Sequence, residues 1–255
     1  MQYAKAFTDA LQFMWGEGFL SPGGPQEVAD MLAGRNISGW HVLDVGSGLG
    51  GVDLVLVQSH GAGSVVGIDV EEQLIEAAAG LVASRGLSDR ISFRLVEPGR
   101  LPFPDSKFDM VFSKDALVHV NDKPLFFQEA LRVLKPGGVV VVADWLWSEG
   151  AATSPVVLDW LSKGPLKFEF TTLRQAAEAL ESAGFSEVDV KDLAHLLQAS
   201  NREEIRVLEG PARQKLAQLV GQEMAESRLR SARGRQAALD SGDLLPSHMS
   251  GRRPR

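Results

Sequence analysis

Glycines at 46, 48, 50 and 51 in HVLDVGSGLGG, with Asp69 closing the following VVGID run, are the residues of this chain best placed to do chemistry. Glycine lets a backbone approach a ligand that any Cβ would exclude. A helix beginning at such a turn aims free N–H groups and its positive dipole end at whatever lies above it. Asp69 ends the next apolar run, where a carboxylate can accept hydrogen bonds from both hydroxyls of a ribose. Apolar run, glycine turn, helical stretch, apolar run and acid make one βαβ unit shaped around a nucleotide. GSGLGG also satisfies G-x-G-x-x-G, so a dinucleotide-binding dehydrogenase is one reading. Two features count against it. Asp44 sits inside the first strand, where apolar packing is expected, and about forty residues precede that strand.

An acid at position 44 suits a ligand with its own positive charge, although it could equally cap the turn. S-adenosyl-L-methionine carries a sulfonium and an ammonium, and the downstream sequence favours it. LPFPDSKFDMVFSKDALVHV (101–120) reads as a turn rich in Pro and Asp followed by a short apolar strand. LRVLKPGGVVVVADWLW (131–147) reads as a helix end, a Pro-Gly-Gly stop and a β-branched strand buried on both faces. The D-x-G-x-G-x-G turn, the acid after the second strand, PFPDSKFD and LKPGG, in this order, resemble the class I S-adenosylmethionine-dependent methyltransferases. The resemblance implies an α/β fold: a Rossmann-like, seven-stranded, mostly parallel sheet with helices on both faces and a helical lid. It implies cofactor contacts at Asp44, Gly46, Gly48, Asp69, Val70 and Ser113.

The segments QYAKAFTDALQFMWGEGFLSPGG, SKDALVHV and KDL are similar to the phosphoethanolamine N-methyltransferases and their relatives acting on small amines. The likeness runs to about residue 195. In that family a tyrosine and a histidine form a hydrogen-bonded pair at the methyl-transfer site, and the matching residues are Tyr3, the only tyrosine, and His119. The types suit the chemistry. An amine must lose its proton before it attacks the sulfonium, and a histidine titrating near pH 6.5 can take it. By the same resemblance Asp115 stands near the acceptor nitrogen, Ser21 closes over the methionine tail, and Glu97 and Pro98 contact the adenine. Trp145 stands where an aromatic face could hold a methylated ammonium. Asp115 as a helix cap and Trp145 as packing are the plainer alternatives.

The departures bear on the acceptor. Where phosphate-binding members carry tyrosines and an arginine, this chain has Ser162, Leu166 and Phe168, with Lys163 and Lys167 nearby. The closing aromatic segment becomes SGDLLPSHMSG, which brings His248 toward the pocket. An amino-acid-like or heterocyclic amine is therefore expected over phosphoethanolamine. Methylation of oxygen or carbon on a phenolic or polyketide-like metabolite is the alternative, and a non-catalytic nucleotide-binding module is another.

At 255 residues with no cysteine, the chain suits a single core with an elaboration, free of disulfides and thiolate metal ligands. A cytoplasmic protein without a metal is expected. The net charge of −7 argues against nucleic acid, and no apolar run is long enough for a membrane span. A monomer or homodimer acting on a small-molecule substrate is the expectation. Seven arginines between 228 and 255 read as a solvated helix face and a frayed end.

The coarse elements are helices 4–16 and 26–33, strand 41–45, helix 50–60, strand 64–69, helix 71–85 and strands 91–96 and 108–113. Helix 122–134, strand 138–145, helix 172–183 and strand 187–193 follow, then one helical region over 201–240 and a last strand. This alternation predicts a parallel sheet covered on both faces. The expected segments are 1–40 as a cofactor-closing lid, 41–195 as the cofactor-binding core, and 196–255 as a helical insert with the final strand.

Overall fold

The computed structural model describes residues 3–162 and 166–255, so Lys163 lies outside the described residues. Seven strands form one sheet: β1 (His41–Val45), β2 (Ser64–Asp69), β3 (Ile91–Leu95), β4 (Phe108–Lys114), β5 (Leu134–Trp147), β6 (Ser186–Asp192) and β7 (Leu244–Arg252). Their order is β3-β2-β1-β4-β5-β7-β6, with β7 antiparallel to both neighbours and the other pairings parallel.

The β-branched run in β5 divides between two cores because alternate residues face opposite sides. Val140 and Val142 join Leu43, Val111 and Phe127, beneath α5 (Lys123–Val133) and α7 (Leu173–Ala183). Val139, Val141 and Ala143 join Val42, Met110 and Phe112, beneath α2 (Gly24–Leu32) and α3 (Gly51–Gln58). With α4 (Glu72–Ser84) beside β2 and β3, both faces are covered. The remaining helices have cores of their own. Ala10 of α1 (Lys5–Trp15) packs with α8 (Ala194–Glu209), α9 (Ala212–Val220) and α10 (Gln222–Asp240) through Leu208, Leu216 and Leu229. α6 (Pro155–Leu161) packs on α10 through Trp160 and Ala238.

The strand order reverses between β1 and β4, and connections leaving these strands run in opposite directions. Such a switch point opens a crevice at the carboxyl ends of the strands. The glycine turn follows β1 and the SKDALVH segment follows β4, so both meet there.

Four details differ from the sequence reading. β5 begins at Leu134, because LKPGG forms an irregular stretch in which Leu134 pairs with Phe108 before Val139 pairs with Met110. α2 begins at Gly24, since Pro25 is well suited to a first turn. The helical region starts at Ala194 and breaks into three, interrupted by Gly210–Pro211 and Gly221. Arg228 and Arg235 are buried rather than solvated. Their guanidinium groups lie 5.5–5.7 Å from the ring centroids of Phe7, Trp15 and Trp145, and Arg235 is ion-paired with Glu204.

Candidate active site

The glycine turn is fixed by two backbone bonds, Gly46 N–H and Ser47 N–H both donating to the Ile68 carbonyl at 2.8 and 3.0 Å. Gly46 has φ +80°, and a Cβ there would stand 2.2 Å from the Cβ of Ala116. The loop after β1 thus presses directly on the loop after β4, which only glycine permits. Asp69 organises the opposite wall. Its Oδ2 accepts from Gly48 N–H at 3.0 Å, and its Oδ1 accepts from Val70 and Glu71 N–H at 2.7 and 3.0 Å. Burial raises the Asp69 carboxyl above its ordinary value, and those three N–H groups hold the rise in check.

These elements enclose a cavity of about 510 Å³. Gly46, Gly48, Asp69 and Val70 line it, with Glu97 and Pro98 from the loop after β3. Tyr3, Ser21, Asp115 and His119 line it too. Val70 is 55% exposed, an apolar surface presented to the cavity rather than to the core.

Tyr3 and His119 are 116 residues apart in sequence, yet the Tyr3 hydroxyl lies 3.5 Å from His119 Nε2. The other ring nitrogen, Nδ1, is 2.8 Å from the Lys167 carbonyl oxygen, which can only accept. Nδ1 therefore carries the hydrogen and Nε2 presents its lone pair to the Tyr3 hydroxyl. Burial lowers the His119 pKa below 6.5, so the ring is neutral at neutral pH. Burial, with the charges of Asp69, Asp115 and Glu71, holds the Tyr3 hydroxyl well above its ordinary value. It keeps its proton and acts as the donor.

Support reaches this pair from three sides. Gln73 Nε2 of α4 donates to the Tyr3 carbonyl at 2.6 Å. Phe168 stacks on the imidazole with centroids 5.3 Å apart. The single 3₁₀ turn Leu117–His119 is held by Asp144 Oδ2, which accepts from Val118 N–H at 2.7 Å. Asp144 is wholly buried and its pKa is pushed up to about 8, first by burial and then by the charge of Asp115.

Residues 37–155 match the family described as a methyltransferase domain. A phosphoethanolamine N-methyltransferase of Zea mays is 31% identical over 193 residues, which cover 75% of this chain and 37% of that protein. One from Plasmodium falciparum is 27% identical, over 76% of this chain and 71% of that protein. The chain thus spans well under half the length of the plant relative. In fold it matches phosphoethanolamine N-methyltransferase 2 of Haemonchus contortus, solved with phosphomonomethylethanolamine and S-adenosylhomocysteine. That match has a TM-score of 0.92 at 22% identity, over 100% of this chain and 58% of that one. The matched segment is a methyltransferase domain, and the chain shares its fold with solved methyltransferases.

Four residues picked from the sequence stand outside the cavity lining of this methyltransferase domain. Asp44 is buried against Asp53 behind the glycine turn. Burial first and then the neighbouring Asp53 push its carboxyl well above its ordinary value. Ser113 Oγ donates to the Val45 carbonyl at 2.8 Å and ties β4 to β1. Trp145 is stacked between protein groups, 5.7 Å from Trp160 and 6.1 Å from Phe168, with the Arg235 guanidinium 5.6 Å from its ring centroid. His248 sits on β7 with Nε2 3.5 Å from Glu27 Oε1. Asp115 does not cap the 3₁₀ turn; it has φ +54° and its carboxylate meets Lys114.

Sequence reasoning passed over Gln73, Asp144 and Lys114. A lysine at the end of the apolar run FDMVFSKD, between two residues already singled out, was the available signal for the last. Nothing local marks the other two. Among the described residues no group of acids and histidines could hold a metal, and no helix is long and apolar enough to cross a membrane.

Proposed function

We propose that the protein transfers a methyl group from S-adenosylmethionine to the nitrogen of a small-molecule amine. The observation that carries this reading is the Tyr3–His119 pair, 3.5 Å apart, lining the same cavity as the glycine turn and Asp69. The residues fit the donor. The Asp69 carboxylate stands at the strand end for a ribose, the apolar surface of Val70 and the Glu97–Pro98 loop suit an adenine, and Asp69 and Asp115 supply negative charge for a cation. When bound, the donor supplies an electrophilic methyl group on a sulfonium.

The chain's own residues prepare the nucleophile. The Asp115 carboxylate favours a protonated amine in the cavity. His119 is neutral through burial, has its Nδ1–H anchored, and can accept the amine's proton at Nε2. Before the acceptor binds, Tyr3 donates to that nitrogen and keeps the imidazole oriented; the amine's N–H then takes its place, because the one Nε2 lone pair holds one donor at a time. Freeing the lone pair and holding it in line is where such a site gains its rate.

Two acceptor classes follow from different observations. The names of the relatives put phosphoethanolamine first. The residues at the matched phosphate positions point elsewhere. Phe168 stacks on His119, Trp145 and Trp160, and the Ser162 hydroxyl donates to its own helix at the Asp159 carbonyl, 2.7 Å away. An aromatic wall beside the imidazole suits an amino-acid-like or heterocyclic amine. Incubation with methyl-labelled donor and a panel of phosphoethanolamine, amino acids, heterocyclic amines and phenols tests both. Label entering phenols alone, or no acceptor in the presence of bound donor, would overturn the N-methyltransferase reading.

A further inference from the structure

Lys114, at the last position of β4, has a side chain only 2% exposed, yet it meets four oxygens. Its Nζ lies 2.8 Å from Ser21 Oγ, 2.6 Å from the Pro22 carbonyl, 2.7 Å from Asp115 Oδ2 and 2.8 Å from Glu27 Oε2. An ammonium has three protons, so four acceptors share them. Those acceptors come from separate pieces of chain: the loop Ser21–Pro22, helix α2, and the residue that follows β4. Burial alone would strip the proton from such a lysine. The carboxylates of Asp115 and Glu27 outweigh it and hold the pKa above the ordinary value, so the group is a cation.

The backbone explains how the cluster is built. The strand registers place Lys114, Ala143 and His248 side by side across β4, β5 and β7. Ala143 ends at Cβ, leaving room for Glu27 of α2 to lie over it. Glu27 reaches Lys114 with Oε2 and comes within 3.5 Å of His248 Nε2 with Oε1. Gly23, with φ +93°, is also required, because a Cβ there would stand 2.2 Å from Glu27 Oε2. On the other side, Asp115 adopts φ +54°, uncommon for a residue with a side chain. Its N–H donates to the Ala143 carbonyl at 2.8 Å, and its carboxylate is held by Lys114.

We infer that Lys114 is a positioning residue that couples the docking of segment 16–27 over the cavity to the placement of the Asp115 carboxylate beside the acceptor amine. Ser21 and Asp115 both line the cavity, and one ammonium holds both. If the segment lifts away, Lys114 loses Ser21, Pro22 and Glu27 together, and Asp115 is left to bear the whole ion pair. The Lys114 ammonium faces two carboxylates, those of Glu27 and Asp115, so a cationic amine at Asp115 adds a second positive charge beside them. The acceptor half of this inference rests on the N-methyltransferase reading above, whereas the docking half does not.

The test uses Lys114→Met together with the double variant Lys114→Met/Glu27→Gln. The double variant removes both charges, so it leaves no buried Glu27 carboxylate without its cation. Hydrogen exchange across residues 16–27, donor binding by calorimetry, and acceptor KM and kcat are measured well below the unfolding midpoint. Loss of the ammonium's contacts is expected to speed exchange in 16–27 and raise acceptor KM, each by roughly tenfold or more. Donor is expected to slow exchange in that segment of the wild type, and this slowing is expected to vanish in the variants. A folded variant with wild-type exchange in 16–27 and wild-type acceptor KM would overturn the inference. Global unfolding of both variants would overturn it too, since Lys114 would then serve overall stability. Should the wild type methylate no amine, the acceptor half fails with the proposed function, and the exchange measurement still decides the docking half.

Discussion

Replacing His119 with alanine is the most informative perturbation of the proposed site. A positioned general base contributes roughly 10²–10⁴ in rate. His119 is anchored through Nδ1 at 2.8 Å and stacked on Phe168, so its lone pair is preorganised, and His119→Ala is expected to lose turnover in that range at pH 7. The Tyr3 contact is weaker. At 3.5 Å it lies at the limit of a hydrogen bond, and a neutral bond worth at most about 0.5–1.5 kcal/mol corresponds to a loss of roughly two- to tenfold for Tyr3→Phe. The pH dependence separates the base from the amine. Burial lowers the His119 pKa, so the ring is protonated and inactive only below its ordinary range, and wild-type kcat/KM rises with pH through a titration lying below 6.5. His119→Ala is expected to lack that limb while keeping the later rise as free amine appears. The ratio of wild-type to variant rate therefore shrinks as pH climbs toward the pKa of the amine. Donor affinity, measured by calorimetry, is expected to stay unchanged because the imidazole nitrogens are engaged by Tyr3 and Lys167 and not by Asp69 or the glycine turn. Normal turnover by His119→Ala at neutral pH would refute the assignment, leaving proximity and desolvation as the means of catalysis.

Asp69→Ala is expected to weaken donor binding by more than about tenfold in calorimetry, from loss of a charge-assisted contact worth roughly 1.5–3 kcal/mol. It also frees three backbone N–H groups at the cavity wall, so the variant's turn is expected to exchange faster. Asp144 gives a stability signature. Its pKa near 8 means that the folded chain holds more protons than the unfolded chain between about pH 4 and 8, so this group makes stability fall as pH rises through that window. Urea unfolding at pH 5 and 8 is expected to show a smaller decline for Asp144→Asn than for the wild type. Glu204→Gln leaves Arg235 buried without its ion partner and is expected to cost about 3–5 kcal/mol in urea unfolding. A cost below about 1 kcal/mol, the range of an exposed pair, would show that the guanidinium is held by Trp15 and Trp145 instead.

Local sequence was enough to place most of the strands and the glycine turn. The glycine turn, Asp69 and the β-branched run of β5 act through backbone conformation, strand period and short-range hydrogen bonds, all readable over a few residues. The seven-stranded, mostly parallel sheet that the family resemblance implied is met, with β7 antiparallel to β5 and β6. Family resemblance, rather than spacing, singled out Tyr3 and His119, because nothing within either segment shows that the other is 3.5 Å away. Tertiary structure alone decided the rest. Asp44 and Asp69 are both acids at strand positions, but one is buried against Asp53 and the other meets three N–H groups, a difference set by what packs around each. Arg228 and Arg235 read as surface residues because charge usually stays in water. The aromatic rings of Phe7, Trp15 and Trp145 and the carboxylate of Glu204, drawn from three distant elements, supply the partners that let them go inside. Lys114 is the clearest case. Its role depends on Ser21, Glu27 and Asp115 converging on one nitrogen, which requires α2 to lie over β4 and β5 and a residue as small as Ala143 beneath Glu27. Side-chain chemistry is written in the sequence, but the environment that sets charge, protonation and reach comes from contacts between segments far apart along the chain.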